Sequence, residues 1–141
     1  MTLPIIGLLF DFGLVVLIWM VQLIIYPSFQ FYAANEMLRW HEKYTVAISF
    51  IVIPLMFGQL ITTILQILNQ CNLFTIGSLV FIGIVWISTF AQFVPLHGAI
   101  ASGQFNEKLL KNLVLKNWLR TALWSLIFIG SFLRIFQKGL F

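Results

Sequence analysis

Four apolar stretches leave this chain few folds to choose from. Each is long enough to cross the ~30 Å hydrocarbon core of a bilayer as a helix of about 20 residues. They run from about Pro4 to Phe29, from Tyr44 to Leu68, from about Phe74 to Leu96 and from about Leu113 to Phe136. A helix satisfies its backbone hydrogen bonds internally, which is what lipid demands of a spanning segment. The expected fold class is therefore all-α: a polytopic membrane protein, an antiparallel bundle of four transmembrane helices, in one domain over residues 1–141. Asn69–Leu73 reads as a tight polar turn, while the connections over 27–43 and 97–112 are longer and have room for surface helix. Pro54 falls inside the second segment and should kink it.

Charge agrees with this. Only 9% of the 141 residues are charged, where a soluble domain carries roughly a quarter. The net charge of +4 does not point to nucleic acid, because the few basic residues flank apolar segments. The expected partner is the lipid bilayer. Arg39, Lys43, Lys108, Lys111, Lys116 and Arg120 lie in the two longer connections and adjoining helix ends, against Arg134 and Lys138 on the other side. That bias predicts cytoplasmic long loops and both termini on the non-cytoplasmic side. The first apolar run has no basic residues before it and is too long for a signal-peptide core, so it reads as a retained span. Cys71 is the one cysteine, which excludes a disulfide framework or a multi-cysteine metal site within one chain.

At 3.6 residues per turn the polar residues of each helix collect on one face. Asp11, Val15, Ile18, Gln22 and Tyr26 share a stripe on the first helix. His41, Thr45, Ile48, Val52, Met56, Gln59, Thr63 and Gln66 share one on the second, and Asn117, Arg120, Trp124, Ser131 and Arg134 on the fourth. Such faces belong in the bundle interior. Depth splits them into two levels. Tyr26, His41, His97, Asn117 and Arg120 lie at one end of their helices; Asp11, Gln59 and Arg134 lie ~22 Å away along the axis. Asp11 and Arg134 are expected to form a structural ion pair, since an isolated intramembrane carboxylate is costly.

The first level carries the candidate chemistry. Imidazole serves as acid, base or metal ligand near neutral pH, and guanidinium offers a fixed fork of donors for an oxyanion. His41, His97, Asn117, Arg120 and Tyr26 are the candidate catalytic residues, with Gln22, Trp118 and Trp124 as candidate substrate contacts. Together they could polarise a carbonyl, hold a quinone head or move a proton from a phenolic carbon acid. Each also has a plainer role. Arg120 could meet lipid phosphate, His97 could cap the third helix, His41 could be a wetted interfacial residue, and Trp40 and Trp118 could be belt anchors. Gly77 and Gly83 read as close-packing points. His41 and His97 could also be axial ligands of a non-covalent haem, or hold a metal with Glu36, Glu42 or Glu107. No HExxH, phosphate-binding glycine loop or serine–histidine–acid arrangement is present.

Val94-Pro95-Leu96-His97, a polar stretch and then Asn117-Trp118-Leu119-Arg120-Thr121 resemble the second half of the anthrone-oxygenase-like family. These are small four-helix membrane proteins filed as a domain of unknown function. Tyr26-Pro27 and Pro54 extend the likeness to the first half. Tyr26–Phe29, His41–Thr45 and Asn117–Thr121 are also similar to stretches of uncharacterised bacterial membrane proteins, which implies a bacterial inner membrane. The resemblance implies oxidation of anthrones or related aromatics without a bound cofactor. This chain departs from it in having His97 where the usual pattern has asparagine.

Two functions stay open on the sequence. One is an oxidoreductase or oxygenase-like enzyme acting on a lipophilic aromatic or quinone-like ligand at a cytoplasmic-side polar pocket. The other is a non-enzymatic subunit or small transporter whose polar stripe serves helix packing, with a second copy or a membrane complex as partner.

Overall fold

The computed structural model describes residues 2–137, all of it helix and short connections. Four helices, α1 (Thr2–Phe31), α2 (Ala34–Asn69), α3 (Leu73–Ala101) and α4 (Glu107–Gln137), are each long and apolar enough to span a bilayer. The chain is an integral membrane protein. Helix α1 packs on α2 and α4, and α3 closes the ring against the same two. Sequence neighbours are thus neighbours in space and alternate in direction, as short connections require.

The bundle is arranged for lipid. Large apolar side chains such as Phe50, Leu68, Ile87 and Phe136 point outward and are exposed. Asp11, Gln22, His41, Gln59, Asn117 and Arg120 are buried beside Leu14, Ile18, Ile82, Val85 and Leu113. Polar groups go inward because only other helices can satisfy them there.

Two spans start earlier than hydropathy suggests. Helix α2 begins at Ala34 rather than Tyr44, and α4 at Glu107 rather than Leu113. Both added segments are amphipathic. Met37 and His41 are buried while Glu36, Arg39, Glu42 and Lys43 are exposed, and Leu110 and Leu113 are buried while Glu107 pairs with Lys111 one turn on. Hydropathy falls where charges appear, but the buried stripe continues and carries the helix with it. The long connections therefore shrink to 32–33 and 102–106. Between α2 and α3 the turn ends on a capping box: Thr75 N donates to Asn72 Oδ1 and Asn72 N to Thr75 Oγ1, both at 3.1 Å. Asn106 Oδ1 accepts from Leu109 N at 2.9 Å and opens α4.

Helix α2 runs unbroken through Pro54, whose ring lies on an exposed face. The close-packing glycines are not Gly77 and Gly83, which have open space where a side chain would stand. Gly58 and Gly130 fill that role, the first against the Phe10 ring of α1 and the second against Phe74 of α3. Space at a glycine depends on which face the neighbour presents, and that is a tertiary fact.

Two helices carry a π-helical turn. In α1 it covers Val21–Ile25, just before Tyr26-Pro27; in α3 it covers Thr89–Phe93, just before Val94-Pro95. Proline cannot donate to the carbonyl four residues back, and its ring crowds that carbonyl. A π turn takes up the mismatch with one wider loop of backbone. Both devices sit at the same end of the bundle, immediately before the polar side chains of interest.

Candidate functional site

Tyr26, His97 and His41 form one hydrogen-bonded chain across α1, α3 and α2. Tyr26 Oη lies 3.0 Å from His97 Nε2, and His97 Nδ1 lies 2.8 Å from His41 Nε2. The two imidazoles stack with centroids 5.1 Å apart, and Phe29 meets His41 edge-on. The π turns place Tyr26 and His97 on the inner face; one helical turn more regular would aim them elsewhere. His41 is held at 1% exposure by the amphipathic start of α2. Its Nδ1 is buried with no hydrogen-bond partner among the described residues.

Neutral imidazoles at this spacing share protons in two ways. In one, Tyr26 donates to His97 and His97 donates to His41. In the other, every proton has moved along, His41 donates to His97 and His97 to the phenol oxygen. The two arrangements change the role of the Tyr26 hydroxyl toward its other neighbours: an acceptor only in the first, a donor in the second. A chain of this type can accept a proton at one end and deliver it at the other.

The Tyr26 end opens on a cavity of about 280 Å³. Its polar end is made by Tyr26, Tyr44, His97, Arg120 and Trp124; its body by Leu17, Ile18, Val21, Ile48 and Val52. The Arg120 guanidinium and the Tyr44 hydroxyl face the same Tyr26 oxygen. Arg120 is buried, with its guanidinium carbon 4.2 Å from the Phe93 ring centre and 5.2 Å from that of Trp124. Such rings stabilise a cation without neutralising it. Its Nε has no hydrogen-bond partner among the described residues. On the α2 side Thr45 and Ser49 line both this cavity and a shallow depression on the outer, lipid-facing surface with Phe50 and Pro54. Their hydroxyls are taken up by backbone carbonyls one turn back, at 2.9 and 2.6 Å. The wall toward lipid is therefore thin and apolar in character.

The fold assembles only part of the expected set. Tyr26, His41, His97 and Arg120 come together, and Trp124 lines the cavity while donating to Gln59 Oε1 at 3.1 Å. Gln22 and Asn117 do not line it. Gln22 Oε1 accepts from Asn117 Nδ2 at 2.9 Å and from Thr121 Oγ1 at 3.2 Å, and its Nε2 donates to Val114 O at 3.2 Å. They clamp α1 to α4, because on an inner face the nearest partner for an amide is another helix. Trp118 turns outward, half-exposed, against the edge of Trp19. It lies one residue off the inward face set by Asn117 and Thr121.

The Asp11–Arg134 ion pair is not formed. Asp11 Oδ1 accepts from Gln59 Nε2 at 2.7 Å and Oδ2 from Ser131 Oγ at 2.6 Å. Arg134 Nη1 donates to Gln66 Oε1 at 3.3 Å and its guanidinium lies over Phe74. Neutral amide and hydroxyl partners reached each group first, without bringing two charges together in a dry interior. Lys138, used for orientation, lies outside the described residues.

Tyr44 and Phe93 belong to the site and were not singled out by sequence. Tyr44 follows His41 by three residues and so shares its face, a spacing that could have found it. Phe93 had no such signal, being one of 15 phenylalanines. The histidine pair does not fit a metal or haem. Two axial nitrogens on opposite sides of a haem iron, on bonds of about 2 Å each, stand roughly 4 Å apart, and here the facing nitrogens are hydrogen-bonded to each other at 2.8 Å. No three His, Cys, Asp or Glu side chains gather as a metal-binding group among the described residues. Glu36, Glu42 and Glu107 are exposed at helix starts. Compared with known proteins, the chain matches no family model, no curated protein and no solved structure.

Proposed function

We propose that this chain is a membrane oxidoreductase that takes a lipophilic hydroxylated aromatic, phenol- or quinone-like, from the bilayer and removes its proton as the first step of oxidation. One observation carries the reading: the Tyr26–His97–His41 chain ends on a largely apolar cavity, at the polar wall it shares with Tyr44 and Arg120. The aromatic hydroxyl gives its proton to the Tyr26 oxygen while Tyr26 passes its own to His97 Nε2. His97 then passes the Nδ1 proton to His41 Nε2. The charge left on the substrate oxygen faces Arg120, and the electron-rich anion is the species that dioxygen, the co-substrate, oxidises. His41 Nδ1, with no partner among the described residues, ends the chain and is where the proton leaves. Basic residues at the neighbouring helix ends favour a cytoplasmic position for this end, with both termini on the other side of a bacterial inner membrane. Resemblance to the anthrone-oxygenase-like family supports the substrate class, and His97 in place of its asparagine supplies a base that the usual pattern lacks.

The test is oxygen uptake by detergent-purified protein offered hydroxylated aromatics such as anthranol, the enol form of anthrone, and naphthols. Uptake should depend on His97 and disappear in His97→Ala while the protein stays folded. Uptake that is equal in His97→Ala, or absent with every aromatic offered, ends this reading.

A second reading has its own observation. The Gln22–Asn117–Thr121 hydrogen bonds join α1 to α4 away from the cavity, which supports a non-enzymatic subunit or small transporter whose polar stripe serves helix packing. In that case His97→Ala and Arg120→Ala would change assembly with itself or a partner, and purified protein would retain no aromatic.

A further inference from the structure

Every carboxylate side chain among the described residues is accounted for, and none serves Arg120. Asp11 is taken by Gln59 and Ser131 at the other end of the bundle. Glu107 pairs with Lys111 on the surface, the one ion pair among the described residues. Glu36 and Glu42 are exposed on the outer face of α2. Arg120 is nevertheless 7% exposed, lies between two aromatic rings and borders the cavity. A cation buried at this depth without a counter-ion is expensive, and a bound anion would remove that cost.

We infer that the cavity holds its ligand as an oxyanion, the charged head of a hydrophobic molecule, with Arg120 as counter-ion. Ionised phenols and carboxylates share this chemistry: a flat, conjugated oxygen head that a guanidinium fork can grip from the side. The Tyr26 and Tyr44 hydroxyls supply further donors at the same point. At about 280 Å³ the cavity takes a single small ring system or the head end of a longer molecule. A longer tail can leave past Thr45 and Ser49, which line both the cavity and the lipid-facing depression. From the proposed function this takes the place of binding; the demand for negative charge holds whether or not the molecule is then oxidised.

Binding to the full chain in detergent, measured by calorimetry and absorbance with three matched probes, tests it. 4-Nitrobenzoate is a carboxylate, 4-nitrophenol a weak phenol and 4-nitroanisole a neutral control of similar shape. Both acids should bind at least about tenfold tighter than the anisole. Bound 4-nitrophenol should show the phenolate band at a pH where it is mostly neutral in solution. Arg120→Gln should erase the preference, and Arg120→Lys, which keeps the charge but not the fork, should retain part of it. If the variants fail to fold, the three probes against the unaltered chain still decide. Anisole binding as tightly as the acids, or nitrophenol bound in its neutral form, overturns the inference. Whichever acid binds tighter identifies the head group. An anion preference with no oxygen uptake from any aromatic would leave this inference standing and remove the oxidoreductase reading.

Discussion

Two polar clusters lie inside one bundle and differ in what they leave undone. Around Asp11 every strong group is answered: the carboxylate takes two donors, the Gln59 oxygen accepts from Trp124 Nε1, and Arg134 donates to Gln66. Around His97 the accounts stay open. His41 Nδ1 and Arg120 Nε are buried without partners among the described residues, and a cavity adjoins Arg120 and His97. Membrane interiors penalise unmatched polar atoms at both depths. A closed network therefore reads as packing, and an open one beside a cavity reads as a place for something else. The helices explain part of the difference. At the Asp11 level the spans are regular, whereas near His97 both α1 and α3 are loosened by π turns ahead of proline.

Substitutions that exchange the fates of the two clusters would break this comparison. The largest effect is expected from His97→Ala, which cuts the proton chain in the middle. On the proposed reading turnover falls by about 10²–10⁴-fold, with the melting temperature little changed because water from the cavity can meet Tyr26 and His41. A large loss of stability with activity intact would make the histidine cluster structural. Next comes Asp11→Leu, which strands the Gln59 amide and Ser131 hydroxyl. It should cost roughly 1–3 kcal/mol of stability per stranded group, read by thermal unfolding in detergent, and leave ligand affinity of the folded protein unaltered. Gln22→Leu removes an acceptor used twice and a donor used once. About 1–2 kcal/mol is expected, since interhelical hydrogen bonds in membranes are individually modest.

Smaller effects sharpen the contrast. A double-mutant cycle on Asp11→Asn and Arg134→Gln should give a coupling below about 0.5 kcal/mol, because the two side chains have separate partners. A coupling of several times that value would restore the ion pair. Trp118→Ala should be the mildest, losing about 0.5–1 kcal/mol of edge-to-face contact with Trp19 and leaving probe binding untouched. A changed affinity for 4-nitrobenzoate there would place Trp118 at the cavity after all.

Much of this was legible in the chain because membrane topology is a one-dimensional problem. Runs of apolar residues give the spans, and the inward stripes of α1 and α2 follow from 3.6-residue spacing alone: Asp11, Gln22, Tyr26, His41 and Gln59 are all buried. The starts of α2 and α4 were not legible from hydropathy, since Glu36, Arg39 and Lys43 lower the average while Met37 and His41 keep the helix packed. The partner of each polar group was legible only to the level of depth. Asp11, Gln59 and Arg134 were placed at one depth, with Gln66 and Ser131 on the same inward stripes, yet which of them met depended on rotations of a fraction of a turn between helices.

By itself, then, the order of residues decided that there would be four membrane-crossing helices, which faces would turn inward, and that histidines, a tyrosine and an arginine would share one end. Only the packed bundle decided that Tyr26, His97 and His41 would stand in line, that Gln22 and Asn117 would spend themselves on each other, and that Arg120 would be left beside a cavity without a carboxylate. The reason is physical. Burial and helix period are properties of a segment, whereas a hydrogen bond near 3 Å is a property of two segments whose relative rotation is set by everything packed around them.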